Sequence, residues 1–118
     1  MKTFIRVMKA LSEPNRVRMV KILGHQELCV CELQHLFGLA QSTVSKHMKI
    51  LEEAGLVSFR KEGLWIIYRL GDGEESEVAR ALLEHLYGWL EYDPQLAAMV
   101  ARLPQLDRGR ICAVRDNQ

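Results

Sequence analysis

The amino-acid sequence predicts a mainly α-helical domain that carries one small β-hairpin, an α+β arrangement. Apolar residues recur at helical spacing over residues 2–53, with breaks at Gly24 and Gly38. Over residues 56–70 the period changes: "LVSFR" and "LWIIYRL" are rich in β-branched and aromatic residues, and "KEG" between them has turn chemistry. A chain of 118 residues that is 48% hydrophobic and 26% charged suits one globular core.

The first three predicted helices are short, and each has a recognisable boundary. Residues 2–11 form an amphipathic helix on this pattern. In "SEPNRVRMVKIL" we expect Ser12 to be the N-cap of the next helix, with a proline in its first turn and Gly24 as its end. A third helix is predicted within residues 29–37, ended by Gly38.

The stretch "GLAQSTVSKHMKILEEAGL" predicts a fourth helix with two different faces. One face is apolar or small and is expected to point inward: Val44, Met48, Leu51 and Gly55. The other carries only small polar and basic groups: Ser42, Ser45, Lys46 and Lys49. Two short helices joined by "GLA", the second with such an outer face, predict a helix-turn-helix, and the hairpin that follows makes it a winged helix-turn-helix.

The C-terminal part of the chain is predicted to be helical and then irregular. An acidic loop, "GDGEE", leads into a helix over residues 76–90 with a wide apolar face, and a shorter helix follows over about 94–103. No repeat or linker divides the chain. We therefore predict one DNA-binding and dimerisation domain over residues 1–103 and an irregular tail over residues 104–118.

Charge is distributed unevenly along the chain, although the net charge is only +1. Residues 1–27 carry six Lys/Arg against two Glu (+4), and residues 41–70 carry five against three (+2). Residues 71–98 carry seven acids against one Arg (−6). Such a chain could offer one face to phosphates and keep the other away, although scattered surface charge is the simpler alternative.

The chain has no sequence feature of a membrane or secreted protein. It has no apolar run of about 18 residues that would predict a transmembrane helix. Its basic N-terminus lacks the apolar core of a signal peptide. We therefore expect a cytoplasmic protein with no membrane partner, in which its three cysteines stay reduced and form no disulfide scaffold.

The outer face of the fourth helix and the hairpin carry side chains suited to DNA. Ser and Thr are short enough to let a helix approach the major groove, and Gln can bond an adenine edge through two atoms. Lysine and arginine can contact phosphates, and His47 could donate to a phosphate or a base. The hairpin is expected to place Arg60 and Lys61 at its tip. Taken singly, each residue also fits an ordinary solvated surface.

Four segments together resemble the ArsR/SmtB family of bacterial metal-sensing repressors: "LSEPNRVRMVKIL", "ELCVCEL", "QSTVSKHMKILEEAGLV" and "RKEGLWIIYRL". The resemblance extends in order from about residue 8 to residue 70. It implies a homodimeric repressor, paired through its first and last long helices, that leaves double-stranded operator DNA when an inducer binds. By this resemblance, residues 41–49 carry base and phosphate contacts. Together with the two basic residues of the wing, the predicted DNA-binding residues are Gln41, Ser42, Thr43, Ser45, Lys46, His47, Lys49, Arg60 and Lys61.

Cys29 and Cys31 stand one residue apart at the start of the third helix. Residues two apart on a helix point about 200° from each other, so both sulfurs can hold one ion only if this turn loosens or Cys29 precedes the helix. In the arsenic-responsive branch of the family "ELCVC" is the metalloid site. The resemblance therefore implies Cys29 and Cys31 as ligands of As(III) or Sb(III), the inducer, with no organic cofactor.

The third metalloid ligand departs from the pattern of some arsenic repressors. Those repressors have a cysteine three residues after the second one, where this chain has Gln34. Trivalent arsenic takes three sulfurs readily, and the remaining thiol of the sequence is Cys112. It could come from the same chain or from the partner chain. The alternative is that Cys112 takes no part in the site. His25 is a weaker candidate.

Several alternatives remain open at the level of the sequence. The zinc-sensing branch uses Asp and His on the last long helix, and Glu84 and His85 here do not reproduce that set. A redox-sensing repressor would oxidise Cys29 or Cys31 and pair it with Cys112. A sensor of soft divalent metals, a non-sensing dimerisation module and simple core packing of the thiols are further alternatives. A thiol enzyme is not expected, because no Cys-x-x-Cys lies in a βαβ setting.

Overall fold

A computed structural model describes residues 1–111, and the remaining residues of the tail, including Cys112, lie outside the described part. The helices are α1 (Lys2–Ala10), α2 (Pro14–Leu23), α3 (Val30–Phe37), α4 (Gln41–Glu53), α5 (Glu77–Leu86) and α6 (Pro94–Arg102). The strands are β1 (Leu28–Cys29), β2 (Val57–Glu62) and β3 (Trp65–Leu70). The predicted order of helices followed by a hairpin and further helices is confirmed.

The junction between α1 and α2 differs from the prediction by one residue. The N-cap of α2 is Glu13, whose carboxylate accepts the backbone N–H of Arg16 at 2.9 Å. The Ser12 hydroxyl instead donates to the carbonyl of Lys9 at 2.6 Å and so closes the end of α1. The prediction of Ser12 as N-cap was wrong because Pro14 occupies the first helical position, which makes the residue directly before it the cap.

The hairpin of β2 and β3 forms the predicted wing. Its antiparallel register runs from Val57 opposite Leu70 to Glu62 opposite Trp65, so the tip consists of the two residues between the strands, Gly63 and Leu64. Arg60 and Lys61 were expected at the tip. They lie instead on β2, paired with β3, because the strand extends through "KE" before it turns.

A third strand, β1, was not predicted. Leu28 pairs with Tyr68 and Cys29 pairs with Ile67, which gives the sheet the order β1-β3-β2. A strand of two residues is too short to show the alternating pattern by which strands are recognised. The consequence is that the first thiol belongs to the same sheet as the wing.

The core lies where α1 to α4 meet the sheet. Its fully buried side chains come from every one of these elements, and they include Val7, Met19, Ile22, Leu28, Leu33, Met48, Leu51 and Ile67. The predicted inward face of α4 is confirmed, since Val44, Met48 and Leu51 have no exposed area and Gly55 is buried. This packing leaves the opposite face of α4 at the surface.

The C-terminal helices are shorter than predicted and are tied to α2 by ion pairs. The helix expected over residues 76–90 ends at Leu86, because the buried Lys21 donates its Nζ to the carbonyls of Leu86 and Tyr87 and holds Glu91 at 2.9 Å. Asp93 caps α6 by accepting the N–H of Leu96, and it pairs with Arg18 at 3.0 Å. None of the helices among the described residues is long and apolar enough to cross a membrane.

The segment after α6 is more regular than predicted. A 3-10 helix spans Leu103–Gln105, and residues 108–111 form a helical turn in which the N–H of Ile111 donates to the carbonyl of Asp107 at 2.9 Å. Leu103 is buried, and Leu106 packs against the core. The prediction that the chain is irregular from residue 104 was therefore wrong for the described part of the tail.

Gly71→Ala should destabilise the fold, because a Cβ at this position would come within 2.4 Å of the Gly55 carbonyl oxygen, which is backbone and cannot move aside cheaply. We expect a loss of about 1–3 kcal/mol, which corresponds to about 4 °C in Tm for each kcal/mol. The matched control is Gly88→Ala, whose Cβ would meet nothing within 4 Å. Equal melting temperatures of the two variants would contradict this packing.

Candidate nucleic-acid interface and thiol site

The outward face of α4 presents small polar and basic side chains to solvent. Its exposed residues are Gln41, Ser42, Ser45, Lys46 and Lys49, and Thr43 is half-buried. The turn that precedes α4 is closed by Gly38, which has a φ of +66° and donates its N–H to the Gln34 carbonyl at 2.9 Å. This left-handed turn, which favours glycine, ends α3 and lets the chain turn into α4, whose polar side chains stay exposed.

The wing carries the second basic group, but its arginine is already paired. The Arg60 guanidinium donates to Glu27, and its other Nη lies 3.1 Å from Glu62. The hydrogen bond to Glu27 is the main reason that the pKa of Arg60 is raised above its ordinary value. Lys61 is exposed beside it. A phosphate that contacts Arg60 would therefore have to replace one or both of these carboxylates.

His47 does not share the solvent-facing side of α4. Its side chain is only 14% exposed, with Nε2 4.0 Å from Glu13 and Nδ1 3.2 Å from Arg16. Burial lowers the pKa of His47, an effect that Arg16 reinforces and Glu13 opposes. A ring that accepts from Arg16 through Nδ1 is neutral and has its N–H at Nε2. The structure thus places His47 at the α1–α2 junction, and its predicted DNA contact stays a prediction.

Arg16 holds this junction together and was not identified from the sequence. Its Nε donates to the Ala10 carbonyl at 2.7 Å and one Nη to the Lys9 carbonyl at 3.3 Å, which satisfies the end of α1. The other Nη lies against His47. The only sequence signal was its place in a basic segment, which says nothing about its partners.

The thiol pair lies where β1 passes into α3. Cys29 is the N-cap of α3, with extended backbone angles (φ −85°, ψ 170°) and 1% exposure, and Cys31 is a half-buried residue of the first turn. Of the two geometries that would let both sulfurs share an ion, the structure shows the one in which Cys29 precedes the helix. Both cysteines belong to one apolar cluster with Ile67 and Trp65.

A buried carboxylate, Glu32, supports this turn. With Cys29 it forms a capping box, in which Glu32 Oε1 accepts the Cys29 N–H at 2.9 Å. The same oxygen accepts from Arg108 Nε at 2.9 Å, and the Arg108 guanidinium lies 5.3 Å from the centre of the Trp65 ring. Burial alone would lower the pKa of Arg108, but Glu32, together with the Cys29 thiol and Glu62, raises it above its ordinary value.

The other residues considered as ligands lie on several elements of the fold, and one of them lies outside the described residues. His25 is exposed in the loop before β1, and Gln34 is half-buried on α3. His85 contacts Trp89, with ring centres 5.1 Å apart, and bonds the Ala81 carbonyl. Within residues 1–111, no three His, Cys, Asp or Glu side chains are grouped so that they could hold a metal ion. The predicted ligand Cys112 lies beyond that range.

A helix-turn-helix with an exposed polar helix, followed by a basic hairpin, defines the winged helix-turn-helix class of DNA-binding proteins. The family described as "Bacterial regulatory protein, arsR family" matches residues 13–58. The arsenical resistance operon repressor of Escherichia coli is 39% identical over 114 residues, 92% of this chain and 95% of that protein. The chain therefore belongs to the arsR family, and it is a DNA-binding transcriptional repressor, not an enzyme.

Two further comparisons agree with this assignment. The arsenic resistance transcriptional regulator ArsR1 of Pseudomonas putida is 36% identical over 104 residues, which cover 84% of this chain and 80% of that protein. The solution structure of a homodimeric winged helix-turn-helix domain from Mycobacterium bovis, a possible ArsR-family regulator, superposes with a TM-score of 0.61 at 30% identity. The superposition covers 72% of this chain and 78% of that domain. The predicted family and fold are thus confirmed.

His47→Gln should reduce the loss of stability at acidic pH. Because the folded state lowers the pKa of His47 from 6.5, the unfolded chain binds this proton more readily. The stabilisation is complete above pH 6.5 and is lost as the pH falls through the lowered pKa. We expect Tm to fall less between pH 7 and pH 5 in the variant than in the wild type. His25→Gln, in an exposed loop, is the control, and a His47→Gln profile equal to that of the wild type would contradict the assignment.

Proposed function

We propose that this chain is a homodimeric cytoplasmic repressor that binds double-stranded operator DNA and leaves it when As(III) or Sb(III) binds to cysteine thiolates. The observation that carries the proposal is the position of Cys29. This one residue is the N-cap of the helix before the DNA-reading helix, and it is also paired with the wing strand. A ligand that moves it acts on both DNA-binding elements.

On the DNA side, the exposed face of α4 would enter the major groove. Gln41, Ser42, Thr43 and Ser45 would approach base edges, and Lys46 and Lys49 would contact phosphates. His47 would reach DNA only if it left Glu13 and Arg16. Arg60 and Lys61 on the wing would contact the flanking backbone, with phosphate replacing the carboxylates that hold Arg60 in the free protein.

Dimerisation would use α1 and α5, whose apolar residues are incompletely covered in the single chain. Phe4 and Ile5 on α1 are 45% and 41% exposed. On α5, Val78, Leu82 and Leu83 are half-buried, although the residues that follow Leu86 are no longer helical. Pairing of two chains through these faces would bury them and would set two copies of α4 on one side of the dimer.

On the sensing side, Cys29 and Cys31 supply two sulfurs, and Cys112 is proposed as the third. Thiolates are the ligands that soft ions prefer. Among the described residues, no three His, Cys, Asp or Glu side chains are grouped so that they would form a different metal site. The two arsenical-resistance relatives named above support arsenic over other soft ions.

Release from DNA would follow from strain at the junction of β1 and α3. The Cys29 N–H is bonded to Glu32 and its residue is paired with Ile67, so a shift of the Cys29 sulfur toward an ion disturbs the cap and the sheet together. α3 packs on α4, with Leu33 and Leu36 buried between them and the rest of the core. A coupling of about 1–3 kcal/mol would change operator affinity about 5- to 150-fold.

Replacing Lys46 and Lys49 together with Ala should weaken binding to any DNA and flatten its salt dependence. Removing one phosphate contact reduces the slope of log K against log salt by about 0.9. The proposed dimer carries each lysine twice, so we expect a decrease of about 3.6 for the loss of four contacts. The measurement is fluorescence anisotropy of labelled duplex DNA at several salt concentrations. Arg110→Ala, at an exposed position after α6 and away from both α4 and the proposed dimer helices in sequence, is the charge-removing control. An unchanged slope in the double lysine variant would contradict the proposed face.

Arsenite added anaerobically should release the wild-type protein from its operator. Cys29→Ser and Cys31→Ser should each keep DNA binding and lose the response, because one thiol of the pair cannot hold the ion with the remaining donor. Anisotropy of the bound duplex during titration measures both properties, and the wild-type complex titrated with buffer is the control. If arsenite leaves the complex intact while peroxide or a soft divalent metal dissociates it, the inducer is not trivalent arsenic.

A further inference from the structure

We propose that α1 carries a further DNA-binding surface, a basic stripe formed by Lys2, Arg6 and Lys9 that contacts the phosphate backbone of the duplex that α4 enters. The partner is defined by its phosphates and not by its base sequence. This inference rests on the proposed function, because it takes the exposed face of α4 as the surface that meets DNA. It adds a contact that belongs neither to the helix-turn-helix nor to the wing.

The sequence of α1 gives this helix three different sides. Val7 and Ala10 have no exposed area and point into the core. Phe4 belongs to the apolar side proposed for dimerisation. The exposed basic residues follow one another at spacings of four and three, so they share a third side: Lys2, Arg6 and Lys9. On a helix of about 3.6 residues per turn, the centre of this side points about 170° away from Phe4, so the stripe is not part of the apolar side.

The basic stripe borders an open groove between α1 and α4. On the α1 side the groove is lined by the stripe and by Ile5, and on the α4 side by Ile50 and Glu53. At the spacing i, i+3, i+4 and i+7, one side of α4 carries Lys46, Lys49, Ile50 and Glu53. The stripe therefore stands next to the side of α4 that carries its two exposed lysines.

The charges of the stripe are not neutralised within the described part of the chain. Lys2, Arg6 and Lys9 take part in no ion pair among residues 1–111, and Glu53, which lines the same groove, takes part in none either. Arg16 also lines the groove, but its guanidinium is bonded to two backbone carbonyls and to the ring of a histidine. A phosphate would thus meet the stripe without displacing a carboxylate.

The lysines of the whole chain follow the same distribution. One of the six, Lys21, is buried. The other five lie on α1, α4 and the wing: Lys2, Lys9, Lys46, Lys49 and Lys61. Lysine binds phosphate as a compact charge on a flexible stem, without the fixed geometry of a guanidinium. Exposed lysines on three neighbouring parts of a DNA-binding protein favour a long polyanion over a small anion, which requires a concave site with fixed polar groups.

The salt dependence of DNA binding tests the stripe. In Arg6→Gln combined with Lys9→Gln, the proposed dimer loses four phosphate contacts, so the slope of log K against log salt should decrease by about 3.6. Between about 50 and about 200 mM salt, the wild type should therefore lose about 100-fold more affinity than the variant. The measurement is fluorescence anisotropy of a labelled duplex of random sequence, because phosphate contacts do not depend on the bases.

Two control variants separate phosphate contact from other effects. Arg110→Gln removes one exposed cation that lies far from α1 in sequence, and it should leave the slope unchanged. Arg6→Lys combined with Lys9→Arg keeps both charges of the stripe and should keep the wild-type slope. A slope in this exchanged variant that falls as far as in the glutamine variant would overturn the inference, because a phosphate contact depends on charge and not on the kind of cation.

An unchanged slope in the glutamine variant would also overturn the inference and would leave the stripe to an acidic protein partner or to solvent. If Lys46→Ala combined with Lys49→Ala still flattens the slope in that case, the proposed function stands and only the stripe is refuted. If neither double variant changes the slope, the proposed DNA-binding face is refuted as well.

The oligomeric state of the glutamine variant distinguishes a DNA contact from a contact between two chains. We expect sedimentation velocity to give the wild-type mass and thermal unfolding to give the wild-type Tm, because Arg6 and Lys9 are exposed and unpaired among the described residues. A variant that dissociates into monomers would show that the stripe belongs to the dimer contact, and it would overturn the inference.

Discussion

One oxygen atom, Glu32 Oε1, joins the described end of the tail to the turn that carries Cys29 and Cys31. It accepts the Cys29 N–H, which begins α3, and it accepts Arg108 Nε, close to the end of the described residues. The carboxylate is almost fully buried, so its two donors are not interchangeable with water. The position of Cys29, the start of the helix before α4 and the course of the tail are therefore not independent of one another.

Under the proposed function, this arrangement would explain how the thiols influence the exposed face of α4 without lying on it. The thiol turn has no share in the exposed face of α4, so a bound ion would not block DNA directly. It is connected to α4 through the buried side chains of α3 and to the wing through the pairing of Cys29 with Ile67. Glu27, two residues before Cys29, also holds Arg60 on the wing. Both connections are short and consist of direct contacts in the core and in the sheet.

The elements with strong periodicity could be predicted from the sequence, and those made by single long-range contacts could not. The two faces of α4 were predictable because Val44, Met48 and Leu51 recur at helical spacing. The cap of α2 was misplaced by one residue, since the proline and not the serine determines where that helix begins. Strand β1 has two residues and no period, and its pairing with β3 depends on how the chain returns.

In the candidate site, the difference between features that are local in sequence and contacts made over long range is clearer still. The pattern "ELCVC" and the basic face of α4 are local in sequence, and they identify the thiols and the helix. Arg16 and Arg108 act on partners that are 31 and 76 positions away, and nothing in their own neighbourhoods distinguishes them from surface arginines. His47 illustrates the converse: its spacing suggests a DNA contact, but only the three-dimensional proximity of Glu13 and Arg16 reveals that its ring is turned to the α1–α2 junction.

Arg16 and Arg108 connect α4 to two different parts of the chain, Arg16 directly through His47 and Arg108 indirectly through α3. Arg16 joins the end of α1, in the region proposed for dimerisation, to His47 on α4. Arg108 joins the tail to Glu32, on the helix that α4 packs against. A change at the dimer contact and a change at the thiols would thus reach α4 through different side chains, at different positions along it. Because neither arginine lies on the exposed face of α4, the proposed operator contacts and the proposed inducer response should be open to separate substitution.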